Sequence, residues 1–291
     1  MPLSGHTRVV GVIGDPVAHS LSPALHNAAF AALGLDWVYV AFPVPRGRGA
    51  DAVAAVSALG LAGLNVTMPH KEDAASACDE LSADAAALRS VNTVVARPDG
   101  GTLGDSTDGP GFLDALADDG IAVEDRAVLV LGAGGAARAV VLALGRAGAA
   151  VTVAARRPEA AESAAALAPG GRTVPLGALG PSIAPGTHAP AGTVDPATFP
   201  VVVNATPLGM SGGDPLPVDP ASLHADQAIV DLVYHPADTP LLTAARARGA
   251  LAVNGLGMLL HQAARSSTLW TGRAAPVDAM RAAVTAVLAG R

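Results

Sequence analysis

Residues 127–137 read Ala-Val-Leu-Val-Leu-Gly-Ala-Gly-Gly-Ala-Ala, and they decide the fold. The apolar run at 127–131 has the length of a buried strand. It passes straight into a G-x-G-x-x-A turn. Gly132 makes the tight turn, Gly134 lets backbone approach a pyrophosphate, and the small Ala137 allows helix to pack closely on strand. A helix to about Arg146 and a second strand in Ala-Ala-Val-Thr-Val-Ala-Ala (149–155) complete a strand–turn–helix–strand unit. Gly132, Ala133, Gly134, Gly135 and Ala136 then form a dinucleotide cradle at a helix N-terminus, where free N–H groups and the dipole favour anions.

The second strand separates the two nicotinamide cofactors. An NAD site places Asp or Glu at its end to hold the ribose hydroxyls. Here it ends Ala154-Ala155-Arg156-Arg157, with no acid. Guanidinium pairs with phosphate through charge-assisted hydrogen bonds, so NADP is the expected cofactor.

Outward from this unit, short β-branched runs alternate with alanine-rich stretches, the pattern of parallel α/β architecture. Strands are expected at 8–13, 38–42, 63–66 and 91–96 before it, and at 201–205, 228–233 and 250–254 after it. Ser22-Pro23 opens a helix with a cap residue and a proline in its first turn. Two helices close the chain, at 256–269 and 277–288. Residues 169–200 carry Pro175, Pro181, Pro185, Pro190 and Pro196, which bars a long helix and reads as surface loop. Boundaries near residues 108–111 and Gly255 give one α/β domain from 1–108 and 256–291, and a nucleotide-binding domain at 109–255.

The chain has 291 residues, enough for two domains, and 51% are apolar against 15% charged, which excludes a disordered protein. A net charge of −7 argues against a nucleic-acid surface. The single cysteine, Cys78, excludes an internal disulfide and fits a reducing compartment. The start MPLSGHTRVVGVIG shows no basic leader ahead of an apolar run, and no apolar run reaches the roughly eighteen residues of a membrane span. The expectation is a soluble cytoplasmic protein acting on a small molecule, with no nucleic-acid or membrane partner. A homodimer is one assembly left open.

Lys71 is the only lysine among 18 lysines and arginines. Arginine stays charged, whereas a lysine ammonium exchanges its proton, so a single lysine in an arginine background marks a candidate acid–base site. It follows Asn65-Val66-Thr67-Met68-Pro69-His70, a strand end with two polar residues at period two and a proline that turns the chain into a short helix. Such strand ends are where open α/β sheets hold ligands. Ser20 and Ser22 put two hydroxyls beside free helix N–H groups, a carboxylate receptor, although Ser22 alone also reads as a helix cap. Gly104-Asp105-Ser106-Thr107-Asp108-Gly109 adds carboxylates at the domain boundary, where they also read as turn residues.

Eight stretches, in order, resemble the shikimate dehydrogenase family: GVIGDPVAHSLSPALHN, NVTMPHKE, VNTVV, GDSTDGPGF, GAGGAAR, VVNATPLGM, DLVYHPADTPLL and GLGMLLHQAA, spanning residues 11–264. The resemblance implies an N-terminal α/β substrate domain, a Rossmann-type doubly wound NADP domain, and C-terminal helices that return to the substrate domain. It implies NADPH-dependent reduction of 3-dehydroshikimate to shikimate on the route to chorismate and the aromatic amino acids. Lys71 and Asp108 match the catalytic pair. Ser20 and Ser22 would hold the substrate carboxylate with Tyr234 nearby; Thr67, Asn92 and Gln262 would bond the ring hydroxyls, supported by Asn65. Gly132 to Ala136 would hold the pyrophosphate and Arg156, with Arg157 beside it, the 2′-phosphate; Leu232 and Gly255 match positions that line the nicotinamide pocket, and Thr206 is a further cofactor-binding position. No metal is implied.

Three departures stand out. Ser106 replaces the family's usual asparagine, which would loosen the loop carrying Asp108. Ala155-Arg156-Arg157 replaces the usual N-R-T/S, losing an asparagine and adding a charge. The proline- and glycine-rich stretch at 169–200 is atypical. The alternative activity within the same family is dehydrogenation of quinate or aminoshikimate, with NAD as the cofactor option; quinate-preferring relatives often carry threonine at the second serine, and this chain keeps Ser22. A non-catalytic shikimate-binding regulator would have lost Lys71 or Asp108, and both are present.

Overall fold

The computed structural model describes residues 3–179, 194–211 and 213–290. They fall into two compact units, Met1–Gly111 with Leu259–Arg291, and Phe112–Met258.

The first unit contains β1 (Arg8–Gly14), α1 (Ser22–Ala32), β2 (Trp37–Pro43), α2 (Gly49–Ala58), β3 (Gly63–Val66), α3 (Lys71–Ala77), β4 (Glu80–Leu81), α4 (Ala83–Leu88), β5 (Thr93–Ala96) and β6 (Thr102–Asp105). Its sheet runs β2-β1-β3-β5-β6-β4. β1, β2 and β3 are parallel, but β5 runs antiparallel to both β3 and β6, so the expected all-parallel pattern does not hold here. The cause is local. The link from β5 to β6 is a tight turn closed by Arg97 N–H to the Gly101 carbonyl at 2.8 Å, with Gly100 at φ +88°. So short a link makes a hairpin and cannot make a parallel crossover. β6 is masked in the sequence by the glycines and aspartates crowding residues 99–109, and β4 is only two residues long. The hairpin sets Thr93 opposite both Asn65 and Asp105.

α5 (Asp108–Asp118) begins in the first unit, and α9 (Leu256–Thr271) ends in it, followed by α10 (Val277–Ala289). Trp270 of α9 donates its indole N–H to the Val94 carbonyl at 2.9 Å, and Gly63 leaves the space its ring occupies. Val10, Val12, Phe30 and Tyr39 pack with Trp270 in one core; Ile13, Leu64, Val66 and Val94 anchor another. Each fully buried side chain of this size contributes roughly 1.5–3 kcal/mol.

The second unit contains β7 (Ala127–Leu131), α6 (Gly135–Arg146), β8 (Ala150–Ala155), α7 (Pro158–Ala165), β9 (Arg172–Pro175), β10 (Val201–Asn204), β11 (Ala228–Asp231), α8 (Pro240–Ala247) and β12 (Leu251–Val253). All its strands are parallel, in the order β12-β11-β10-β7-β8-β9. Chain order runs one way from β7 through β8 and β9, and the other way from β10, so the switch point lies between β7 and β10. Val201–Asn204 is wholly buried, as a central strand covered on both faces must be. Part of the expected loop at 169–200 is regular: Arg172–Pro175 pairs with β8 as an edge strand, where a proline at its end removes no ladder bond needed elsewhere. The middle of that stretch, 180–193, lies outside the described residues.

Candidate active site

Lys71 is the first residue of α3, and its carbonyl accepts the Val91 N–H at 3.0 Å, which ties the helix to the entry of β5. Its ammonium nitrogen lies 2.6 Å from Asp108 Oδ2, with the side chains 22% and 13% exposed. This is a charge-assisted contact in a largely dehydrated setting. Asp108 opens α5, where the helix dipole favours a carboxylate. Its other oxygen, Oδ1, accepts from Asn92 Nδ2 at 2.7 Å.

Asn92 cannot turn over. Its Oδ1 accepts the Thr107 backbone N–H at 2.8 Å, a group that can only donate, so Nδ2 must face Asp108 and the Thr107 hydroxyl. Asn65 is held in the same way. Its Oδ1 accepts the Tyr39 hydroxyl at 2.7 Å, while Nδ2 meets the Asn92 carbonyl, Thr93 Oγ1 and Ser266 Oγ, each at 3.1 Å. Burial pushes the Tyr39 phenol well above its ordinary pKa, with Ser22 working in the opposite direction, so the phenol stays a donor.

Ser22 is the first helical residue of α1 and does not cap it; Ser20 Oγ accepts the Ser22 N–H at 3.2 Å. The cap reading of Ser22 is thereby corrected, and its hydroxyl is left beside Tyr39. The methyl of Thr67 packs on Gly14, where a Cβ would come within 2.5 Å of it. Gln262 donates to the Leu259 carbonyl at 2.8 Å, and its backbone presses on Gly111, which must lack a side chain. Lys71, Asp108, Asn92 and Asn65 thus form one connected network, reached by Ser22 through Tyr39 and, through Ser266, by the backbone carbonyl of Gln262 but not its side chain. Among the described residues, Thr67 makes no side-chain hydrogen bond to it. Around Ser106 the loop is tied on both sides: Asp105 Oδ1 takes the Ser106 N–H at 2.8 Å and also the Ser82 hydroxyl, and Asn92 holds Thr107.

In the second unit, Gly132 has φ +110°, and a Cβ there would lie 2.8 Å from the Ala205 carbonyl, at the switch point. Gly134 and Gly135 face open space, with nothing within 4 Å of a would-be Cβ. Exposed glycines ahead of the free N–H groups of α6 are the cradle a pyrophosphate requires. Ala137 is fully buried against the sheet. Arg156 and Arg157 stand exposed at the end of β8 without an ion pair among the described residues. These groups fit NADP. Leu232 and Gly255 meet directly, the glycine lying against the Leu232 carbonyl and its N–H bonding the Val233 carbonyl at 3.1 Å. Tyr234 is half-buried in this same unit.

Thr206 is fixed by a buried relay that the sequence reading missed. Its hydroxyl donates to Asn204 Oδ1 at 2.6 Å, and Asn204 Nδ2 donates to Asp231 Oδ1 at 2.9 Å. Asp231 also accepts the Val233 N–H at 3.1 Å and the Thr239 hydroxyl at 2.7 Å. Burial raises its pKa, against the pull of these donors. Tyr39, Thr93, Thr107 and Ser266 were missed in the first unit. Only Ser266 carried a signal, being one helical turn after Gln262.

A family model described as the shikimate dehydrogenase substrate-binding domain matches residues 12–94, and one described as the shikimate 5′-dehydrogenase C-terminal domain matches residues 255–285. The NADP(+) shikimate dehydrogenase of Acidiphilium cryptum is 46% identical over 300 residues, covering 100% of both chains. A solved shikimate dehydrogenase in complex with NADP+ superposes with a TM-score of 0.89 at 34% identity, covering 98% of this chain and 97% of the other. The quinate dehydrogenase of Corynebacterium glutamicum, solved with NAD, gives a TM-score of 0.85 at 31% identity over 96% of this chain and 99% of its own. With end-to-end identity of this order, the chain belongs to the shikimate dehydrogenase family.

Proposed function

We propose that the chain catalyses the reversible NADPH-dependent reduction of 3-dehydroshikimate to shikimate, in the cytoplasm and on the route to chorismate. The observation that carries this reading is the Lys71–Asp108 pair at 2.6 Å, half of it an ammonium able to exchange a proton. Bound at Gly132–Ala136 with Arg156 and Arg157 at its 2′-phosphate, NADPH supplies the hydride. The protein supplies the rest. Reduction of the ring ketone leaves an alkoxide that needs a proton, and the Lys71 ammonium donates it or holds the developing charge. Asp108, fixed by Asn92, orients the ammonium and the reacting hydroxyl. Ser20 and Ser22 receive the substrate carboxylate, Thr67 and Gln262 bond its hydroxyls, and Tyr39 and Asn65 keep the floor of the site in place. Met1–Gly111 with Leu259–Arg291 is the proposed substrate unit and Phe112–Met258 the proposed NADP unit.

The likeness to a quinate dehydrogenase solved with NAD favours a second reading, quinate oxidation with NAD. Against it stand Ser22, which keeps a small hydroxyl at the carboxylate end, and the paired arginines. Steady-state rates with shikimate and with quinate, each with NADP and with NAD, decide between them. The expected outcome is that shikimate with NADP gives the highest kcat/KM by at least about tenfold, equivalent to about 1.4 kcal/mol of transition-state binding. Faster turnover of quinate with NAD would overturn the assignment.

A further inference from the structure

We infer that Ser266, on the C-terminal helix α9, is a positioning residue for the Lys71–Asp108 pair; the inference rests on the functional reading above. Ser266 is fully buried in an alanine-rich turn beside Ala263 and Ala264. Alanine is the better helix former there, and a hydroxyl costs free energy to bury unless it is bonded. Its proton goes to the Gln262 carbonyl one turn earlier, at 3.0 Å, the routine bond of a helical serine. Its other contacts leave the helix: Asn65 Nδ2 at 3.1 Å, Thr93 Oγ1 at 2.8 Å and Thr107 Oγ1 at 3.2 Å.

Those partners have a specific placement. Thr93 directly follows Asn92, and Thr107 directly precedes Asp108. One hydroxyl therefore pins the chain on both sides of the bond by which Asn92 Nδ2 holds Asp108 Oδ1 at 2.7 Å, and hence the aim of Oδ2 at the Lys71 ammonium. Through Gln262 it sets the α9 turn that faces substrate against the same pair. The next residue supplies a control: Ser267 is equally buried on the same helix, yet its hydroxyl has no partner among the described residues.

The test compares Ser266→Ala, Ser267→Ala and the parent in steady-state kinetics with shikimate and NADP. Loss of positioning lowers kcat about tenfold in Ser266→Ala, the scale of one lost hydrogen bond, with the KM for NADP within about twofold. Ser267→Ala stays within about twofold in every parameter. Thr93→Val removes a partner hydroxyl with its shape preserved and stands in if Ser266→Ala does not fold. It lowers kcat likewise, and the double variant falls less than the two separate losses combined. Unchanged kcat in Ser266→Ala or Thr93→Val, or equal losses in the Ser266 and Ser267 variants, overturns the inference alone. A parent without shikimate turnover overturns the functional reading, and the inference falls with it.

Discussion

At Lys71, an ammonium and a guanidinium make different chemical promises. Both can pair with Asp108 Oδ2, but a guanidinium does not give up its proton whereas an ammonium can. Lys71→Arg keeps the charge and is expected to lower kcat by a factor on the order of 10²–10⁴, with a far smaller change in shikimate KM. Stopped-flow single-turnover rates, which isolate the chemical step from release, make the check. A near-normal rate would remove Lys71 from proton transfer and leave Asp108 as a mere counter-charge. The lysine was legible because its residue type was unique in the chain. Its partner was singled out by resemblance; the residues alone offered one carboxylate among several, since nothing local distinguishes Asp108 from Asp105. The structure separates them by occupation: Asp105 is committed to Ser82 and Ser106, whereas Asp108 keeps an oxygen for Lys71.

At the level of elements, the β7–turn–α6 unit could be read directly because every requirement in it is local: a tight turn, an open cradle, a small residue under the helix. β6 and β9 could not. Each is only four residues long, Thr-Leu-Gly-Asp and Arg-Thr-Val-Pro, set among glycines and prolines, and each is a strand because it pairs with the edge of β5 or β8. The hydroxyl cluster was equally hidden, since Ser266 lies 173 residues from Thr93 in sequence and meets it only when α9 returns to the first unit. Gly255, by contrast, was named from resemblance alone, and the reason for it is steric. A methyl at that position would overlap the Leu232 carbonyl, so one of the two backbone segments must move. Gly255→Ala is expected to raise the KM for NADP at least about fivefold and lower the melting temperature by a few degrees, as a loss of about 1 kcal/mol would do. Titration of NADP binding by fluorescence, beside thermal unfolding, measures both. An unaltered NADP affinity would detach this contact from the cofactor pocket.

Across the whole chain, the acid limit of stability is set in part by one buried ring. His26 stacks on Tyr39 at 4.3 Å, lies 5.2 Å from the Trp270 ring and is fully buried. Desolvation lowers its pKa from 6.5 to about 3, and the neighbouring Asn65 side chain works the other way without cancelling it. Between those two values the unfolded chain takes up a proton that the folded chain refuses, so stability falls as pH drops from about 6.5 towards 3. Both tryptophans, Trp37 and Trp270, belong to the first unit, so their fluorescence follows unfolding of the body that carries the Lys71–Asp108 pair. Urea unfolding monitored this way should show a midpoint that declines through this window. His26→Phe keeps an aromatic ring in the stack and removes the titration, so its unfolding free energy should depend on pH less steeply by up to about one proton. Parallel pH profiles for the two proteins would assign the acid sensitivity to the carboxylates instead. A flatter profile with kcat unchanged at neutral pH would separate the packing role of His26 from the chemistry carried by its neighbours Tyr39 and Asn65.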